Sequence, residues 1–73
     1  MNKKKRVTDM HRADIRAALM KKGISLSQLG VKNGLAKTTL RNAFDKRYPK
    51  GEKIIADALG MEPSEIWPTR YTE

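Results

Sequence analysis

Gly34 divides the stretch LSQLGVKNGLAKTTLRNAFD, Leu26 to Asp45, into two short amphipathic segments, and no other feature restricts the fold as tightly. Ser25 is a good N-cap and Gln28, three residues later, can complete a capping box, so the spacing predicts a helix start here. The inward stripe of that helix reads Leu26, Leu29, Gly30 and, at its frayed end, Asn33. A residue as small as Gly30 lets a following helix cross closely. Gly34 then stops the helix, because glycine enters positive φ without a Cβ penalty and turns the chain steeply into a second helix. From Ala36 the apolar residues return as Ala36, Leu40, Ala43 and Phe44, at offsets of four, seven and eight, which is one buried face of a helix.

The opposite side of the second helix carries Lys37, Thr38, Arg41 and Asn42, with Asp45 beyond. Arginine matches the two acceptors of guanine, and asparagine matches the acceptor and donor of adenine. An exposed Arg41 beside Asn42 is therefore suited to discriminating bases in a major groove. Lys37 and Thr38 stand at the helix start, the part of a recognition helix that usually meets base edges. An ordinary solvated face is the plain alternative, since nearly every surface helix has one. The pattern of Leu29, Gly30, Gly34, Leu40 and Ala43 weighs against it, because it specifies a tight helix pair and not merely an amphipathic segment.

Charge supports the same direction. The chain has 16 Lys plus Arg against 8 Asp plus Glu, a formal net charge of +8. Of these, 15 basic but only 4 acidic residues lie up to Lys53, so that part carries +11 and the remainder −3. A polyanion is therefore met by the first two thirds, leaving the C-terminal end for packing or a second protein. A basic surface by itself also attracts RNA or an anionic membrane.

A chain of 73 residues is expected to form one domain, burying about 60 to 65% of its unfolded surface. There is no cysteine, which excludes disulfides and thiolate metal sites and fits a reducing cytoplasm. No apolar run approaches the roughly 18 residues of a membrane span, and no signal-peptide core is read at the N-terminus. Thr8 or Asp9 is the expected cap of a first helix, Met10 to Lys22, with Ile15, Ala18 and Leu19 inward and Gly23 as its stop. After Pro49, Gly51 and Glu52 open a further helix with Ile54, Ile55, Ala58 and Leu59 seeking a core, and Gly60 ends it. Pro63 starts a last turn, Ser64 to Trp67, and Pro68 stops it. β-Branched residues never alternate over four positions, so strands are not expected and the class is all-α. The expected organisation is a flexible basic arm over 1–7, one helical domain over 8–69 and a loose tail over 70–73.

Catalysis has little to stand on. There is no Ser, His and Asp arrangement, no Gly-rich phosphate loop and no HExxH, and the eight carboxylates are dispersed among basic neighbours. No enzyme activity, metal or cofactor is expected. His11, the one histidine, cannot make a metal site, which needs three or four ligands, and reads as structural or as a backbone contact. Trp67 reads as a cap over the core in preference to a partner-binding anchor. The run Lys3, Lys4, Lys5, Arg6 is either an arm along a groove or a charged tail.

Four stretches, HRADIRAALMKKGISLSQLG, TTLRNAF, YPKGEKIIADALG and PSEIWPTRY, resemble the Ner-like regulators of transposable phages and their chromosomal relatives, within the lambda-repressor-like helix-turn-helix group. The resemblance spans Met10 to Tyr71. It implies a compact five-helix domain, with the helix-turn-helix at helices 2 and 3, that binds operator DNA and represses early phage transcription, or a host descendant of such a regulator. Base reading is assigned to Lys37, Thr38, Arg41 and Asn42. Phosphate contact is assigned to Ser27 and Gln28, at the start of the helix that crosses the backbone, and to Lys46, Arg47, Tyr48, Lys50 and Lys53 after the recognition helix. The expected partner is a double-stranded DNA operator in the cytoplasm of a bacterial host, met by a protein that is monomeric in solution and pairs on DNA. The alternative is a basic helical interaction or accessory module that touches nucleic acid without sequence preference. RNA is disfavoured, because Phe44, Tyr48, Trp67 and Tyr71 are too scattered to stack bases.

Overall fold

A computed structural model describes residues 8–71, which places the basic run Lys3 to Arg6 outside the described residues. Five helices follow in order: α1 (Arg12–Lys21), α2 (Leu26–Lys32), α3 (Asn42–Asp45), α4 (Pro49–Leu59) and α5 (Pro63–Ile66). A 3-10 turn, Thr39–Arg41, runs directly into α3, and another, Pro68–Arg70, follows α5. No strand occurs among the described residues.

The first helix begins later than expected. His11, not Thr8 or Asp9, is its cap: the backbone there is extended and the ring Nδ1 accepts the Ala13 N–H at 3.0 Å. Asp9 is used elsewhere, accepting from the Thr69 N–H at 3.0 Å and from the Thr69 hydroxyl at 2.8 Å. The Met10 N–H donates to Ile66 O at 2.9 Å. These bonds hold the chain before α1 alongside the C-terminal segment, and a helical turn at Met10 would break them.

At α2 the forward half of the expected capping box forms, with Ser25 Oγ accepting the Gln28 N–H at 3.1 Å. The return bond from the Gln28 side chain is absent among the described residues. Gly34 has φ +78, and the Gly34 and Leu35 N–H groups donate to Val31 O and Gly30 O at 3.0 and 2.8 Å. That pair of bonds closes the helix end and swings the chain out of it.

Past this elbow the helix start departs from expectation. Ala36 is exposed and lies outside any helix, and Lys37 and Thr38 form a turn; the helical backbone starts only at Thr39. Two adjacent β-branched threonines disfavour a regular α start, and a tighter 3-10 turn is a common way for a short helix to begin. Lys46, in extended backbone, ends the helix. The segment Thr39–Asp45 is too short to persist alone in water. It survives because Leu40 and Ala43 are fully buried and Phe44 packs partly against the core.

The core gathers Ile15 and Leu19 of α1, Leu26 and Leu29 of α2, Leu40 and Ala43, Ile55, Ala56 and Leu59 of α4, and Ile66 and Trp67. Trp67 is only 2% exposed, in keeping with a cap over the core. Each large side chain so buried contributes about 1.5–3 kcal/mol. Helix α4 is the hub, touching α1, the first 3-10 turn, α3 and α5. It reaches the reading segment closely because of Gly51, where a Cβ would stand 2.5 Å from Tyr48 Cδ2 and 3.2 Å from Leu40 Cδ2.

One further expectation is corrected at the C-terminus. Arg70 and Tyr71 are not loose: Arg70 donates to Ala43 O at 2.6 Å and to Lys46 O at 3.1 Å, and the Tyr71 hydroxyl donates to Glu52. The reason is the carboxylate of Glu52, which is wholly buried on α4 and draws both side chains inward.

Candidate nucleic-acid interface

Leu40 and Ala43 point into the core, so helical geometry turns Arg41, Asn42 and Asp45 outward together. Lys37, Thr38, Arg41 and Asn42 are all exposed. They divide by element: Lys37 and Thr38 lie in the turn before the helix, whereas Arg41 and Asn42 sit where the 3-10 turn becomes α3. The face offers donors from Lys37 and Arg41 and both donors and acceptors from Thr38 and Asn42.

Asp45 is the one acid on this face, and its charge would repel phosphate. Arg12 of α1 meets it at 2.5 Å and also stands 5.5 Å above the Phe44 ring. Both members of the pair are more than half exposed, so it adds little stability, about 0–1 kcal/mol. Its larger consequence is to neutralise the end of the reading helix. Arg12 was absent from the sequence expectations, because its partner lies 33 residues away.

The expected phosphate contacts fall into three groups. Ser27 and Gln28 are exposed in the first turn of α2, with the Gln28 N–H already given to Ser25. They line a shallow hollow with Val31, Lys32 and Lys37, which joins the start of α2 to the turn before the reading helix. Lys32 thus belongs to the same surface, though the sequence offered no motif for it. On the other flank, Lys46 and Lys50 are exposed and form no ion pair among the described residues. Lys53 stands 3.8 Å from Asp57 on its own helix, both well exposed.

Arg47 and Tyr48 differ from this pattern. The Arg47 guanidinium donates to Arg70 O at 2.8 Å, lies 4.7 Å over the Tyr71 ring and is 3.9 Å from Glu52. It faces the C-terminal segment. Tyr48 is half-buried, its ring close over Gly51 and its N–H given to Glu52 Oε2 at 2.8 Å. Arg47 is thus engaged with the C-terminal segment and Tyr48 with α4.

Glu52 therefore holds together α4, the residues after the reading helix and the C-terminal segment. Burial works to raise its carboxyl, but the Tyr48 N–H, the Tyr71 hydroxyl, Arg47 and Arg70 together outweigh it and hold the group below the ordinary carboxylate range. Burial, and then the hydrogen bond to Glu52 and its charge, push the Tyr71 hydroxyl up in spite of the two arginines. A depressed carboxyl stabilises the fold above its unfolded value, about 4.3, and that contribution is lost as pH falls through the lower folded value. The expected result is a fall of the thermal midpoint below about pH 4 that is shallower in Glu52→Gln. Equal acid slopes in the two proteins would refute a role for this carboxylate in acid stability.

Neither a cluster of three or more metal-ligating side chains nor a helix long and apolar enough to cross a membrane occurs among the described residues.

Comparison with known proteins places the chain in a family. Residues 9–73 match the family described as winged helix-turn-helix DNA-binding. The chain is similar to a negative regulator of transcription from Escherichia phage D108, at 62% identity over 97% of each chain. It is also similar to the negative regulator of transcription from Escherichia phage Mu, at 54% identity over 86% of this chain and 84% of that one. The solution structure of the Mu Ner protein matches with a TM-score of 0.77 and 53% identity, covering 88% of this chain and 86% of that one. The family description includes a wing, whereas the described residues here are helical and irregular only.

Proposed function

Because this chain belongs to the winged helix-turn-helix DNA-binding family, we propose that it recognises a specific double-stranded operator and lowers transcription from it. The relatives from phages D108 and Mu carry the name of negative regulators, and their likeness extends over most of both chains. The observation that carries the reading is the exposed set of Lys37 and Thr38 in the turn before the reading helix and Arg41 and Asn42 on the helix itself, whose reverse side, Leu40 and Ala43, is fully buried. A side chain on so short and well-anchored an element meets a base edge with little freedom to adjust, and discrimination follows from that.

Arg41 reads a guanine and Asn42 an adenine by paired hydrogen bonds, with Lys37 and Thr38 contacting neighbouring base edges. Ser27, Gln28, Lys46, Lys50 and Lys53 hold the phosphates on either side. The protein is a monomer in solution, since its apolar residues are nearly all used in one core, and two copies pair on half-sites about 34 Å apart. It acts where the operator lies, in the cytoplasm of a bacterial host.

Arg41→Ala tests the assignment after selection of a preferred duplex from random sequences. The substitution is expected to lose about 1–3 kcal/mol of discrimination at one or two positions while binding to scrambled duplex stays close to that of the unaltered protein. Equal losses on both duplexes would remove Arg41 from the base-reading set. Uniform protection of DNA without a preferred site would favour the accessory-module alternative.

A further inference from the structure

The reading helix is held at its carbonyl end by a residue from the far end of the chain. Arg70 Nη1 donates to Ala43 O at 2.6 Å and to Lys46 O at 3.1 Å, and Nη2 donates to Phe44 O at 3.4 Å. The last carbonyls of a helix have no partner within it, and here one guanidinium serves two of them and that of Lys46, the residue just past the helix. The side chain is 14% exposed, Nη1 lies 3.0 Å from the fully buried Glu52, and its guanidinium carbon stands 5.2 Å from the Trp67 ring centre. Arg47, just past the reading helix, returns the contact by donating to Arg70 O at 2.8 Å. Asp9 fixes the same segment from its other side through Thr69.

We propose that Arg70 is a positioning residue for base recognition: the C-terminal segment, locked to Glu52, sets the angle at which Thr39–Asp45 presents Arg41 and Asn42. The inference rests on the operator-binding reading above. A seven-residue segment with a 3-10 start has little internal rigidity of its own, so its orientation is set by what holds it: Leu40 and Ala43 pin its inner side, and the contacts of Arg70 fix its carbonyl end. Paired hydrogen bonds to a base are sensitive to that orientation, whereas lysine contacts to phosphate adjust to it. Arg70 therefore governs the ratio of specific to scrambled binding and leaves the phosphate-driven part unchanged. Lysine at this position keeps the charge beside Glu52 but cannot fork across several carbonyls.

Arg70→Lys is compared with the unaltered protein and with Ile15→Val, a core variant, at temperatures where each is equally folded. The expected result is a roughly tenfold fall in the specific-to-scrambled affinity ratio for Arg70→Lys, with scrambled binding and salt slope unchanged and the ratio intact in Ile15→Val. An unchanged ratio in Arg70→Lys, or the same loss in Ile15→Val, would overturn the proposal. Hydrogen exchange on the unaltered protein gives a second decision that needs no variant. The amides of Ala43 to Lys46 are expected to open in one step with the C-terminal segment, and independent opening would also overturn it. A unit ratio in the unaltered protein would instead sink the operator-binding reading, with the exchange pattern still deciding whether Arg70 holds the helix.

Discussion

Leu40→Ala is expected to lower stability by about 3–5 kcal/mol, against a total for a domain of this size of roughly 3–10 kcal/mol. Leu40 has no exposed surface. Its side chain fills the space left by two glycines: Cγ would lie 3.6 Å from a Cβ at Gly30, and Cδ2 would lie 3.2 Å from one at Gly51. The residue therefore locks the reading segment between α2 and α4, and truncation leaves a cavity walled by helix backbones that cannot collapse far. A short segment with no stability of its own has nothing to replace that contact. Urea titration followed by circular dichroism measures the loss, with Val31→Ala as a control expected within about 0.5 kcal/mol because Val31 is 54% exposed. A loss below about 1 kcal/mol for Leu40→Ala would refute the keystone role assigned to this side chain.

Binding to DNA is expected to weaken about a thousandfold between 50 and 200 mM salt if roughly six phosphates are neutralised. The candidates are exposed cations on both flanks of the reading helix, Lys32 on one and Lys46, Lys50 and Lys53 on the other. Lys50→Ala removes one contact, so the slope of log K against log salt falls by about 0.9 on specific and scrambled duplexes alike. Arg47→Ala gives a sharper contrast. Its guanidinium is occupied by the Arg70 carbonyl, the Tyr71 ring and Glu52, so its loss reduces stability while leaving the salt slope where it was. A slope that drops as much for Arg47→Ala as for Lys50→Ala would return Arg47 to the phosphate-binding set. Titrations at four or more salt concentrations, read by anisotropy, separate the outcomes.

Much of this molecule was legible from local chemistry. Ser25 as a cap, the stop at Gly34, and the burial of Ile15, Leu19, Leu29, Leu40, Ala43 and Ile55 all follow from patterns a few residues long. The solvent exposure of Arg41 and Asn42 follows in turn from the burial of Leu40 and Ala43 behind them. Where local chemistry offered near-equal choices, it misplaced the boundary. Local preference favours Thr8 or Asp9 as the cap of α1, and only the claim of Thr69 on Asp9 and of Ile66 on Met10 moves the helix start to His11. Ala36 fits the helical period of its neighbours yet lies outside the helix, because period records spacing and does not say where the first turn closes.

The sequence by itself determined the helical class, the glycine elbow, the basic sign of the first two thirds and the identity of the outward residues, since each depends on conformational preference, period or charge within a short stretch. Only the tertiary structure decided which charges are free and which are spent. Arg12 and Asp45 meet across 33 residues, Arg70 and Glu52 across 18, and Arg70 and Ala43 across 27. No periodicity encodes such pairings. They exist because packing around α4 brings the 3-10 turn Pro68–Arg70 against the end of the reading helix, where unpaired carbonyls and one buried carboxylate leave a guanidinium its best place.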